Sequence, residues 1–318
     1  MDLDVLFLGT AGSAPTARRG LPALLVRRGG DRLLFDCGEG TQRQLVRSAG
    51  LAEIQDVFIS HFHADHVLGL PGLLKTWSLH GREAPLAVHG PAGLVRLFAA
   101  FRPLVGKTTF EIELIELEPN SSLQRDGYSV AAFEVAHGAV SLGYALVEDD
   151  RPGRFDEERA RALGVTPGPD YGRLQDGHAV SRPGVRVEPE QVLGDPRRGR
   201  KVVVAGDTEP CEMTRAVAWR GDLLVHEATF TQADVARAVE TRHATALGAA
   251  ELARGAEVEL LALTHVSPRY PTRELRDEAR AVFEHTIVPE DFDRVEIPLP
   301  ERGPPVHHRA REQLGAPA

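Results

Sequence analysis

The apolar positions fall into short runs with two spacings. Leu3 to Leu8 alternates and predicts a strand. Pro22 to Arg28 and Arg32 to Phe35 predict a hairpin around Gly29-Gly30. Ile54 to Ile59 reads as a buried strand, with Val57, Phe58 and Ile59 as its apolar end. Further strands are expected at Pro85–His89, Phe110–Leu117, Tyr128–Val135, Lys201–Ala205, Asp222–Val225 and Glu259–Leu263, with a last short one at Arg294–Ile297. Helical patterns cover about Thr41–Ala49, Val67–Leu79, Gly93–Phe101, Ala246–Gly255 and Arg273–His285. Strands interleaved with helices predict a layered α/β fold.

Residues 148 to 200 break this rhythm. Prolines, glycines and arginines crowd together there, among them Arg151, Arg154, Arg159, Arg161, Arg173, Arg182 and Arg197-Arg198-Gly199-Arg200-Lys201. Phe155–Leu163 reads as a short helix, while Val165 to Gly172, with Pro167 and Pro169, reads as neither helix nor regular strand. The expected organisation is one catalytic domain formed by 1–147 and 201–299, an inserted flexible arm at 148–200 and a disordered, Pro-rich tail at 300–318. His307-His308 in that tail has no evident partner.

Composition narrows the possibilities. The chain has 318 residues, 42% hydrophobic and 26% charged, with a net charge of −9. That charge argues against a generic nucleic-acid coat, which makes the arginine-rich insertion the more distinctive. There is no run of eighteen apolar residues and the N-terminus is acidic, so neither a membrane helix nor a secretory signal is expected. Cys37 and Cys211 are too few for a disulfide framework; both are expected to be free, buried thiols, and a cytoplasmic setting follows.

The chemistry concentrates in Ser60-His61-Phe62-His63-Ala64-Asp65-His66, a loop between strand and helix. Imidazole and carboxylate are ligands of divalent transition metals. In an extended loop His61 and His63 point the same way, and Asp65 and His66 can face a second point as the chain turns into the helix. Strand ends elsewhere carry His137, Asp207 and His265. Such ends converge at one sheet edge, and together these residues make seven ligands, enough for two metals sharing a carboxylate. Asp36, also at a strand end, could cap and pack, or could orient a metal-binding histidine. Gly9 to Pro15 lacks the ending of a phosphate loop and reads as a turn lining a cleft.

At these residues the chain resembles the metallo-β-lactamase superfamily. Several stretches are similar to its tRNA 3′-processing branch, ribonuclease Z. They are Asp36 to Gln42, Ser141-Leu142-Gly143-Tyr144, His226-Glu227-Ala228-Thr229-Phe230, Thr264 to Tyr270 and the Gly-Pro stretch Gly164 to Gly172 in the arm. Of the family's Pro-x-Lys-x-Arg-Asn loop, Pro15 and Arg19 match and Ala17 and Gly20 do not. The resemblance, over about residues 3 to 298, implies a four-layer αββα sandwich, a homodimer and two Zn²⁺ per subunit, with Mn²⁺ or another divalent metal as the alternative. It implies one ion on His61, His63, His137 and Asp207 and another on Asp65, His66, Asp207 and His265. It also implies that one subunit's arm holds a precursor tRNA whose 3′ end enters the other's site, with no DNA partner. Hydrolysis to a 3′-hydroxyl and a 5′-phosphate would use Asp65 as general base and His243, oriented by Glu227, as acid. The alternatives are a small-substrate phosphodiesterase, esterase or sulfatase of the superfamily, and a non-catalytic RNA-binding protein.

Overall fold

The computed structural model describes residues 1–51, 53–182 and 184–310. The chain forms two compact units, one of residues 1–147 and 201 onward, the other Glu148–Arg200.

In the first unit, β1 (Leu3–Gly9), β2 (Ala23–Arg28), β3 (Asp31–Phe35), β4 (Asp56–Phe58), β5 (Leu86–Gly90) and β6 (Ile112–Glu116) build most of one sheet. The second sheet starts with β7 (Ser122–Arg125), β8 (Tyr128–Glu134) and β9 (Leu142–Glu148). After β10 (Val180–Arg182) and β11 (Val185–Val187), a hairpin of the other unit, the chain returns to it through β12 (Lys201–Val204), β13 (Leu223–Glu227), β14 (Leu260–Thr264) and β15 (Thr286–Ile287). Strands β16 (Arg294–Glu296) and β17 (Val306–His308) then complete the first sheet.

Alternation within each strand explains the layering. In β1, Val5 and Phe7 face the core between the sheets, and Leu6 and Leu8 face the helices outside. In β12, Val202 and Val204 face inward and Val203 outward. Both faces of these strands are therefore apolar, as a sheet covered on both sides requires. Helices Thr41–Arg47, Gly69–Leu79 and Leu94–Val105 cover the first sheet. Helices Ala246–Gly255 and Thr272–Arg280 cover the second. The result is the αββα sandwich of the metallo-β-lactamase type.

The topology decides where functional groups can meet. β3, β4, β5 and β6 pair in parallel, as do β12, β13, β14 and β15. Asp36, Asp207 and His265 lie at or just beyond the carboxyl ends of such strands, and the histidine loop follows β4. That loop is held from the opposite sheet. Leu142 N donates to Ser60 O at 2.9 Å, and Tyr144 Oη donates to Ile59 O at 2.7 Å. Phe58 stacks on Phe35 at 5.0 Å and meets the Tyr144 ring edge-on at 5.2 Å, so the loop rests on a rigid aromatic base.

Several expectations need correction. The stretch Val165–Gly172 does contain helix: Pro169–Gln175 starts on its proline, where the missing N–H costs nothing and the fixed φ suits the first turn. Residues 148–200 have a small core of their own, including Val165, Tyr171, Leu174 and Val187, closed by a buried two-bond pair between Arg200 and Glu148 (2.6 and 2.7 Å). The segment expected to be a disordered tail from Pro300 is ordered to Ala310; Arg294–Ile297 is not the last strand, because β17 pairs with β16. His307 Nε2 is 2.9 Å from Asp293 and His308 Nε2 3.2 Å from Glu296, partners that exist only once the strands pair. Residues 311–318 lie outside the described residues. Finally, Cys37 is buried but Cys211 is only half-buried.

Replacing Tyr144 by Phe leaves the Ile59 carbonyl buried without its donor. It should cost roughly 1–3 kcal/mol in urea unfolding. An unchanged midpoint would show that the loop does not depend on this bond.

Candidate metal centre

Three groups of ligand atoms converge, each within 4.8 Å: His61, His63, His137 and Asp207; Asp65, His66 and His265; and Asp207, His243 and His265. The period-two reading of His61 and His63 is geometrically apt, since both enter the first group. Asp65 and His66 lie on a single helical turn, Ala64–Val67, which swings them toward the second. One Asp207 oxygen stands between the groups. Oδ2 is 3.2 Å from His265 Nε2, 3.3 Å from His66 Nε2 and 3.9 Å from His61 Nε2.

The hydrogen bonds behind the rings fix which nitrogen faces inward. His66 Nδ1 lies 2.8 Å from Asp36 Oδ2; a carboxylate only accepts, so Nδ1 carries the hydrogen. Ser60 Oγ donates to the same carboxylate at 3.0 Å, and Ser60 N donates to Oδ1 at 2.8 Å. With its hydrogen committed, Ser60 Oγ accepts from His61 Nδ1 at 3.0 Å. His137 Nδ1 donates to the Arg242 carbonyl at 3.1 Å. In the neutral form of each ring Nε2 is therefore the lone-pair nitrogen; without a metal, burial opposes a charged His66 but Asp207 and Asp36 hold its pKa well above the ordinary value. Asp36 thus holds the His66 ring, and does so from a left-handed backbone (φ 57°), a strain typical of sites.

These are the conditions a metal meets. Buried Nε2 of His61 and of His66 have no hydrogen-bond partner in the protein. Lone pairs of imidazoles and carboxylates aimed at one another repel unless a proton or a metal ion lies between them. The donor set is nitrogen and oxygen, which suits a divalent transition metal. Electrostatics agree. Burial, aided by the His66 ring, pushes His61 down to about 2, so it stays neutral. At Asp207 burial opposes ionisation, but His265 and His66 outweigh it and hold the carboxyl well below its usual range. Asp65 is shifted the same way, burial being overcome by the His265 and His66 rings beside it.

Beside the second group, Glu227 forms a hub. It is almost wholly buried. Its Oε1 accepts from Thr208 N (2.8 Å) and His243 Nδ1 (2.7 Å), and its Oε2 from Ala244 N (3.0 Å). The His243 ring stacks on His265 at 5.3 Å and remains partly exposed. Burial works against a charged His243, and Glu227 overrides it, so its pKa stands above the ordinary value.

Sequence reasoning placed the Gly9–Pro15 turn at a cleft but could not see what it does there. Ser13 N donates to Asp65 Oδ2 at 2.9 Å. Gly12 lies under the His265 ring, where a Cβ would come 2.4 Å from Nδ1. A backbone N–H has no signature in residue types; the only legible hint was the glycine. Gly12→Ala should therefore displace His265 and weaken divalent-metal binding roughly 10- to 100-fold. Metal titration of stripped protein measures this, and unchanged affinity would show that the turn yields instead.

With this geometry in view, comparison with known proteins is specific. The family model of the metallo-beta-lactamase superfamily matches residues 19–265. The ribonuclease Z of Methanosarcina acetivorans is 45% identical over 300 residues, covering 93% of this chain and 98% of that one. The ribonuclease Z of Natronomonas pharaonis is 47% identical over 310 residues, covering 95% and 100%. Among solved structures, the short form of human tRNase Z superposes with a TM-score of 0.67 at 28% identity, over 93% of this chain and 99% of that one. The metallo-beta-lactamase fold protein YhfI of Bacillus subtilis shares the fold, with a TM-score of 0.68 at 19% identity over 93% and 100%. Near-half identity running the length of the chain carries the assignment past the superfamily: this protein belongs to the ribonuclease Z family.

Proposed function

We propose that this ribonuclease Z, a metal-dependent endonuclease that removes the 3′ trailer from precursor tRNA, works with two Zn²⁺ per subunit. His61, His63, His137 and Asp207 would hold one, and Asp65, His66 and His265 the other, with Asp207 shared. Bound there, such ions supply a lowered pKa for the attacking water and charge to offset the phosphoryl oxygens. The remaining chemistry belongs to the chain. Asp65, held by Ser13 N and kept ionised, takes the proton of the attacking water. Water adds to phosphorus and the bond from phosphorus to the tRNA 3′ oxygen breaks. His243 gives its proton to that leaving oxygen and is recharged from solvent. The products are a 3′-hydroxyl on the tRNA and a 5′-phosphate on the trailer.

The observation that carries this assignment of roles is the His243–Glu227 pair, at 2.7 Å, with the His243 ring against a residue of the metal group. A structural histidine needs no carboxylate to raise its pKa at the mouth of such a site. The arm of 148–200 is the proposed grip on tRNA, through exposed arginines such as Arg182 and Arg186. We place the enzyme in the cytoplasm as a homodimer in which each arm serves the other subunit. Among the described residues no helix is long and apolar enough to cross a membrane.

His243→Gln should lower the cleavage rate roughly 10²–10⁴-fold while the metal content stays normal. An effect on metal content alone would refute the acid role. The sign of the pH dependence follows from the raised pKa. His243 is a competent acid below its pKa, so the rate should fall as pH rises through a value above about 6.5, and His243→Gln should lose that descending limb. Deleting residues 150–195 should weaken tRNA cleavage and spare bis(p-nitrophenyl) phosphate; equal loss on both would count against a tRNA-gripping arm.

A further inference from the structure

The stretch His226-Glu227-Ala228-Thr229 contributes a residue that the mechanism above does not use. Thr229 is buried, and its hydroxyl makes two short contacts to groups with different duties, with His243 Nδ1 farther off at 3.5 Å. Thr229 Oγ1 is 2.6 Å from Glu227 Oε2 and 2.8 Å from His265 Nδ1. A hydroxyl has one hydrogen, and the carboxylate can only accept, so that hydrogen goes to Glu227. The oxygen is then an acceptor toward His265, whose Nδ1 must carry a hydrogen. His265 Nε2 is left as a lone pair facing Asp65 Oδ2 at 3.3 Å and Asp207 Oδ2 at 3.2 Å.

We propose that Thr229 is a positioning residue that sets the tautomer of His265 and ties that ring to the carboxylate that orients His243. The same device occurs across the site, where Ser60 accepts from His61 and donates to Asp36. There the hydroxyl–carboxylate pair joins His61 to His66; here it joins His265 to His243. Threonine adds stiffness, because branching at Cβ restricts χ1 and so aims the hydroxyl. Without it, Glu227 Oε2 keeps the Ala244 N–H, but His265 Nδ1 loses its acceptor and the ring is free to turn its protonated nitrogen inward. The inference rests on reading Asp65, His66 and His265 as metal ligands.

Three readouts test it. In zinc-loaded wild-type protein, histidine ¹⁵N NMR should show His265 with its hydrogen on Nδ1; a hydrogen on Nε2 overturns the proposal. Titrating stripped protein with Co²⁺, followed by its visible absorption, should show Thr229→Val binding one of two equivalents roughly 10- to 100-fold more weakly. Thr229→Ser should restore both to within a few-fold of wild type. Wild-type binding by Thr229→Val, or equal loss in Thr229→Ser and Thr229→Val, overturns it. Should Thr229→Val not fold, the tautomer and the serine variant decide alone. A wild-type protein that takes up a single equivalent overturns the two-ion reading instead, and the His265 tautomer still decides for or against Thr229.

Discussion

The structure is governed by a cluster of buried imidazoles and carboxylates that needs a proton or a metal ion between its members. Asp207 places one carboxylate oxygen among three imidazole nitrogens, each on a ring held by a bond at its far side. Protein atoms do not arrange themselves this way for stability. Burying such groups unpaired costs several kcal/mol each, on the order of what a whole domain has to spare. The sandwich supplies the rigidity that holds them in place, and a bound metal would draw its binding energy from that preorganised set.

The fold meets this demand in a particular way. Parallel strands of two sheets end at the same edge, so residues far apart in sequence arrive there without long loops. Behind them lie hydroxyl–carboxylate pairs that leave no freedom of tautomer. Ser60 with Asp36 serves the histidine loop, and Thr229 with Glu227 serves the later residues. Glu227 does double duty, since the carboxylate that holds His243 also receives Thr229. His243 and His265, the proposed acid and metal ligand, are therefore both tied to one buried group, and a change at either is felt by the other.

Much of this was legible in the sequence, for physical reasons. The histidine loop declared itself because its ligands are local. Alternation in β1 and β12 and helical spacing in Ala246–Gly255 declared the layers because burial on both faces leaves an apolar record. His137, Asp207 and His265 could be suspected from their places at strand ends. What stayed hidden depends on pairing or on backbone. The strand Val306–His308 is polar and reads as tail, and exists because β16 offers it an edge. The helix Val235–Thr241 went unread, though it leads directly into Arg242 and His243. Its mixed sequence carries little periodicity. The Ser13 N–H and the Arg242 carbonyl have no identity in a residue alphabet, and both act on metal-site residues.

The central claim is that buried histidines and aspartates, acting with divalent metal, hydrolyse the phosphodiester at the tRNA 3′ end. The most direct test is to map the termini left on a 3′-extended precursor tRNA, before chelation, after it and after metal is returned. The account predicts a 3′-hydroxyl on the tRNA and a 5′-phosphate on the trailer, lost on chelation and restored by zinc. A 2′,3′-cyclic phosphate, or cleavage indifferent to chelation, would contradict it.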